Sequence, residues 1–141
     1  MIKNSLGMVC AILLPIVGLT ACQRPAPTER PSVTLPVYTQ GNAEQGKKDY
    51  QQHCQKCHKL QLGDNEKGPQ LSRIYGAKSA LLAEYQYTDA LKNSQLTWTA
   101  DNLDNYIANS KQAVTGTRMR SDPIADPKTR QDIIAYLSTL R

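Results

Sequence analysis

Five consecutive residues, Cys54-Gln55-Lys56-Cys57-His58, constrain this chain most: two thiols and an imidazole at this spacing form the pattern that attaches a haem covalently. Thiols three residues apart lie on one side of a helical turn. There they can add to the two vinyl groups on one haem edge while the next residue turns its imidazole to the iron. Three side chains then hold one cofactor. The same cysteines also suit a redox-active pair or part of a zinc site. A zinc site would want two further thiol or imidazole ligands and a thioredoxin-like site would want strand-helix alternation; neither is visible.

Residues 1–21 read as a secretory signal peptide, with Lys3 as its charge, an apolar run through Met8 to Leu14, and small residues at its end. Pro15 and Gly18 interrupt the run before it reaches transmembrane length. Leu19-Thr20-Ala21-Cys22 resembles a bacterial lipobox, in which Cys22 becomes the first mature residue and carries acyl chains; an ordinary cleavage site beside a spare thiol is the alternative. Cys10 leaves with the signal, Cys22 takes lipid, and Cys54 with Cys57 takes haem, so no thiol remains for a disulfide. Several acyl chains give a stable membrane anchor. The expected location is the bacterial cell envelope, with the folded part in the periplasm or otherwise outside the cytoplasmic membrane. Residues 22–41 hold Pro25, Pro27, Pro31 and Pro36 without an apolar period and read as a lipid-anchored tether. In the extended polyproline regime such a stretch reaches up to roughly 60 Å.

Residues 42–141 make one small domain. They contain no Phe and one Trp, so a bound haem has to supply much of the apolar interior, and the chain without it should be poorly folded. The coarse periodicity reads as helices, with no convincing alternating strand. Asn42 with Gln45 opens one helix, Thr99 caps a second through Leu103, Tyr106 and Ile107, and Asp126-Pro127 opens a third carrying Ile133, Tyr136, Leu137 and Leu140. Residues 59–76 read as loop, broken by Gly63, Gly68, Pro69 and Gly76. The expected fold is all-α, three to five helices around one covalently bound haem.

His58 is the expected first axial ligand. Met119 is the sole methionine beyond the signal segment and lies in a stretch with poor helix signals, as a ligand loop requires. The other histidine, His53, adjoins Cys54 and cannot easily reach the far haem face, so it reads as a surface residue. Lysine ligation and an open iron position are the alternatives to Met119. With His and Met both bound, the iron passes single electrons and has no vacant place for a substrate.

These motifs, in this order, resemble the class I c-type cytochrome family over almost all of residues 46–137. Gly46-x-x-x-Tyr50 resembles a helix that packs on the C-terminal helix, where Ile133 to Leu137 stand here. Gly68-Pro69 resembles the segment whose proline carbonyl accepts a hydrogen bond from the proximal histidine, which implies that role for Pro69. The resemblance assigns Tyr87 and Trp98 to an inner haem propionate and Tyr106 to a place beside the methionine sulfur. It assigns Gly116-Thr117-Arg118-Met119 to the ligand loop, with Thr117 among the haem-binding residues. Ala77, Leu91 and Ser121 depart from the pattern, standing where many relatives carry an arginine, an asparagine and a phenylalanine.

The formal charge is +5. Lys47, Lys48, Lys56, Lys59, Arg118 and Arg120 surround the haem motif and the ligand loop in sequence, a distribution suited to steering an acidic redox partner. No basic helix or stacking platform points to nucleic acid. The function expected is a monomeric, membrane-tethered single-electron carrier without a small-molecule substrate, linking respiratory donors to an oxidase or reductase. Two other classes stay open: a haem enzyme with an open iron site, such as a peroxidase or a nitrite- or gas-reactive protein, and a non-haem lipoprotein using Cys54 and Cys57 for redox or metal chemistry.

Overall fold

The computed structural model describes residues 26–141; the signal-peptide reading of residues 1–21 and the lipidation of Cys22 lie outside the described residues. Each helix begins at a residue whose side chain takes up a free N–H of the first turn. Asn42 accepts from Gln45 N at the start of α1, Ala43–His53. Thr88 does so for α2, Asp89–Ser94, and Thr99 for α3, Ala100–Ala108. Asn109 caps α4, Ser110–Ala113, and Asp126 caps α5, Pro127–Thr139, through the N–H groups of Lys128 and Thr129. Pro127 stands in that first turn, where a missing N–H costs nothing. The expected all-α architecture is thus present as five helices, with one isolated β-bridge, Lys78 to Thr97, among the described residues. The short α2 and α4 carry too few residues to show an apolar period.

The centre of the fold is the contact of α1 with α5. Gly46 lies where α1 meets the Asp132 carbonyl, and a Cβ there would overlap that backbone. Tyr50 packs on Tyr136, ring centroids 5.6 Å apart, and Ile133, Ile134 and Leu137 of α5 are buried. The buried Asp132 carboxylate accepts Asn42 N at 2.6 Å and pairs with Lys128, so one acid joins the two helix starts. α3 completes the core with Leu103, Tyr106 and Ile107. Arg130 of α5 reaches back to Asp104 of α3 at 2.8 Å.

Much of the expected tether is held along the domain. Thr28 N is bonded to Glu84, the Arg30 side chain is buried, and Val33, Leu35 and Tyr38 pack on the core. Arg141 donates to the carbonyls of Val33 and Leu35, and Tyr38 N donates to Ser138 Oγ at 3.0 Å. Prolines keep the strand extended but do not prevent its apolar side chains from finding the domain. Residues 28–41 are therefore a strap, not a free spacer over their length.

Candidate haem site

The Cys54–His58 motif forms the turn that continues α1. Cys54 N donates to Tyr50 O, and Cys57 N and His58 N both return to Cys54 O, at 3.0 and 2.9 Å. This winding sets the two thiols one turn apart, both free of any disulfide. Burial, followed by the neighbouring Cys57, pushes the Cys54 thiol up to about 12. A reactive redox pair requires the opposite shift, toward thiolate. Nor does any group of three or more His, Cys, Asp or Glu side chains among the described residues have the arrangement of a metal site. Both observations weigh against the non-haem uses of these cysteines.

His58 is set by the loop that follows. Its Nδ1 lies 2.8 Å from Pro69 O, and because a carbonyl can only accept, Nδ1 carries the proton. Burial lowers the imidazole pKa against the pull of that bond, and the Arg30 charge lowers it further. The ring is thus neutral with its lone pair on Nε2, the form that ligates a metal. Gly68 allows this approach: a Cβ there would sit 2.7 Å from Nε2, within the ring's own volume. Tyr50 Oη donates to His58 O and fixes the backbone as well. His53 is exposed, as its surface reading requires.

Met119 sits in the loop of residues 114–126, between α4 and α5, half-buried against the core. Tyr106 Oη and Thr117 Oγ1 are 2.6 Å apart, and Met119 N donates to the same Thr117 oxygen at 3.3 Å. Gly116 takes a left-handed φ of +94° just before this pair. The far end of the loop is tied by Ile124 N to Ile107 O and by Arg130 to the carbonyls of Ile124 and Ala125. Trp98 meets Tyr106 edge-on, centroids 5.0 Å apart. Trp98, Tyr106, Thr117 and Met119 therefore form one contiguous group, with the Tyr106 hydroxyl directed to Thr117.

Residues 69–76 connect this group to the His58 side, since Leu71 N donates to Lys59 O and Gly76 N donates to Trp98 O. Tyr87 is packed edge-on to Tyr85 and lies beside the Arg30 guanidinium. Ala77 is buried, Leu91 is half-buried and Ser121 is exposed. Sequence reasoning gave no role to Arg30, which lies in the Pro-rich stretch, or to Gln70, which follows Pro69 in its motif; both are buried.

Residues 43–141 match the family described as Cytochrome c. This chain belongs to that family. A cytochrome c of Euglena viridis is 40% identical over 101 residues, covering 72% of this chain and 99% of that protein. The cytochrome c-type cyt cy of Rhodobacter capsulatus is 34% identical over 105 residues, 74% of this chain and 52% of that protein. The solved structure of cytochrome cH from Methylobacterium extorquens aligns with a TM-score of 0.65 at 40% identity, covering 70% of this chain and 99% of that one. Covalent haem c is accordingly the cofactor of this cytochrome, and its work is electron transfer. The residues present fit the group: two unpaired thiols one turn apart, an oriented neutral imidazole, and buried donors left without acceptors.

Proposed function

We propose that this cytochrome is a single-electron carrier in which Cys54 and Cys57 hold one haem c by thioether bonds and His58 and Met119 are the axial ligands. The bond from His58 Nδ1 to Pro69 O carries this reading, because it leaves Nε2 as the one nitrogen free to bind iron. When bound, the haem accepts and releases one electron. The chain's part is to keep that exchange from becoming chemistry on a substrate. The neutral imidazole of His58 and the sulfur of Met119, on its pinned loop, would hold the iron and leave it no place for a substrate, and a thioether would raise the haem potential relative to harder ligands. Tyr106 and Thr117 hold the loop that presents the sulfur, while Trp98 fills the space behind Tyr106.

The wider reading places Cys22 in a lipid anchor, with the haem domain outside the cytoplasmic membrane, between respiratory donors and an oxidase or reductase. No helix among the described residues is long and apolar enough to cross a membrane. Lys47, Lys48, Lys56, Arg118 and Arg120 are exposed, which supports steering of an acidic partner. Met119→Ala in the holoprotein is the decisive test. The variant should gain high-spin absorption, lose the weak band at the red end of the oxidised spectrum, and bind carbon monoxide that the native protein excludes. Native protein binding carbon monoxide as readily as the variant would show an open site and favour an enzyme. Cys22→Ala should release the protein from membranes; unchanged retention counts against the anchor.

A further inference from the structure

Only two buried side-chain donors among the described residues lack a partner, Arg30 Nε and Gln70 Nε2. Both belong to side chains that bracket one residue. Arg30 Nη1 donates to Ser72 O at 2.8 Å, and Gln70 Oε1 accepts from Ser72 N at 2.7 Å, which identifies its other atom as the unpaired amide nitrogen. Arg30 is 3% exposed and Gln70 is 0% exposed, so water does not offset either loss. A buried guanidinium stays charged and needs an anion. None of the ion pairs among the described residues includes Arg30. Glu84, which acts on it electrostatically, is exposed and both its oxygens face Thr28 N. Tyr87, beside the guanidinium, is a phenol and supplies no charge.

The missing partner is thus an acceptor with several lone pairs and a negative charge, a carboxylate, at a place where the fold itself provides none. Haem c brings two carboxylates, its propionates. Gln70 directly follows Pro69, whose carbonyl lies 2.8 Å from His58 Nδ1, and the guanidinium sits on Ser72 two residues further on, so both donors adjoin the segment that sets the His58 ring. We propose that Arg30, delivered by the N-terminal strap, clasps a haem propionate together with Gln70 Nε2, the Tyr87 hydroxyl lying alongside. The strap then serves the cofactor and not only the anchor. This rests on the haem reading above.

Two consequences follow from electrostatics. A buried positive charge near the iron opposes the extra charge of the ferric state and so favours reduction. The same charge keeps the propionate ionised across the neutral range, so reduction does not take up a proton there. The test is a redox titration of purified, full-length native, Arg30→Gln and Arg30→Lys holoproteins between about pH 5 and about pH 9. Native protein should give a midpoint potential that does not change with pH. Arg30→Gln should lower the equilibrium constant for reduction about tenfold, 59 mV for a one-electron couple, and acquire a pH-dependent slope. Arg30→Lys should restore most of the potential. An Arg30→Gln curve that superimposes on the native one, even from a less stable protein, would overturn the clasp and leave the haem reading standing. If Arg30→Gln yields no holoprotein, the native profile decides: a slope in the neutral range overturns the proposal, because a clasped carboxylate does not titrate there. Native protein without a Soret band would overturn both readings.

Discussion

Replacing Gly46 with Ala tests the contact on which the fold is built. A Cβ at Gly46 would overlap the Asp132 carbonyl and lie 3.0 Å from Ile133 N. Those are backbone atoms of α5, so no side chain can swing aside and the helix must retreat as a body. Overpacking costs about 1–3 kcal/mol, and a backbone obstacle puts this case near the top of that range. Helix propensity returns about 1 kcal/mol on going from Gly to Ala. The net destabilisation is then about 2 kcal/mol. For a domain of this size each kcal/mol moves Tm by about 4–8 °C, so the melt should drop by about 8–16 °C. The assay is thermal unfolding of the ferric holoprotein followed by far-ultraviolet circular dichroism. Lys47→Ala, exposed on the same helix, serves as the control and should change stability by no more than about 0.5 kcal/mol. If Gly46→Ala melts with the native protein, α1 and α5 do not touch through this residue and the packing described above is refuted.

Tyr106→Phe removes the bond to Thr117 and should cost about 1 kcal/mol, with the weak red-end band lost at a lower temperature than the helical signal. Coincident losses would mean that Tyr106 does not hold the ligand loop. Arg130→Ala severs α5 from Asp104 and from two loop carbonyls and should cost about 2 kcal/mol in urea unfolding. Lys at that position should recover only part, because a single ammonium cannot copy the planar fork; full recovery would refute the account. Asp126 is held below its usual pKa by the Thr129 hydroxyl and then by the Thr129 N–H. Its folded pKa is the lower one, so its stabilisation is complete above the ordinary carboxylate range and fades as pH falls through that depressed value. Asp126→Asn, which retains a cap without the charge, should flatten this acid limb; an unchanged acid limb would show that Asp126 does not contribute to it.

Legibility in the sequence followed the range of the forces involved. Asn42, Thr99 and Asp126 act on their own helices within three residues, so the three main helices were readable from caps and stripes. α2 has the same kind of cap at Thr88, but six residues with none buried offer no periodic face to confirm it. The haem motif and Met119 were readable because they are local or unique. Arg30 was not: its role depends on Ser72 and Tyr87, far along the chain, and a Pro-rich surrounding suggests solvent. Nothing in composition separates a free extended segment from one bound to a surface. The same applies to Gly68, whose closeness to the His58 ring appears only once the loop is closed.

The strap changes what an anchor on Cys22 can do. A free tether of that length would carry the domain roughly 60 Å from the lipid. With the chain bound to the domain from Thr28 onward, only six peptide steps separate that contact from Cys22, a span of at most about 21 Å. The haem domain would then work close against the membrane surface, within reach of integral partners and not of distant soluble ones. A longer reach would require peeling off Val33, Leu35 and Tyr38 and drawing Arg30 out of its buried place, which couples reach to the occupancy of the haem site. Limited proteolysis distinguishes the two states, since thermolysin can cut before Val33 only where the strap is loose. The native holoprotein should resist cleavage there until the domain itself unfolds, whereas Arg30→Gln should be clipped sooner. Immediate clipping of the native strap, with the haem domain left intact, would show that this segment is a free tether after all.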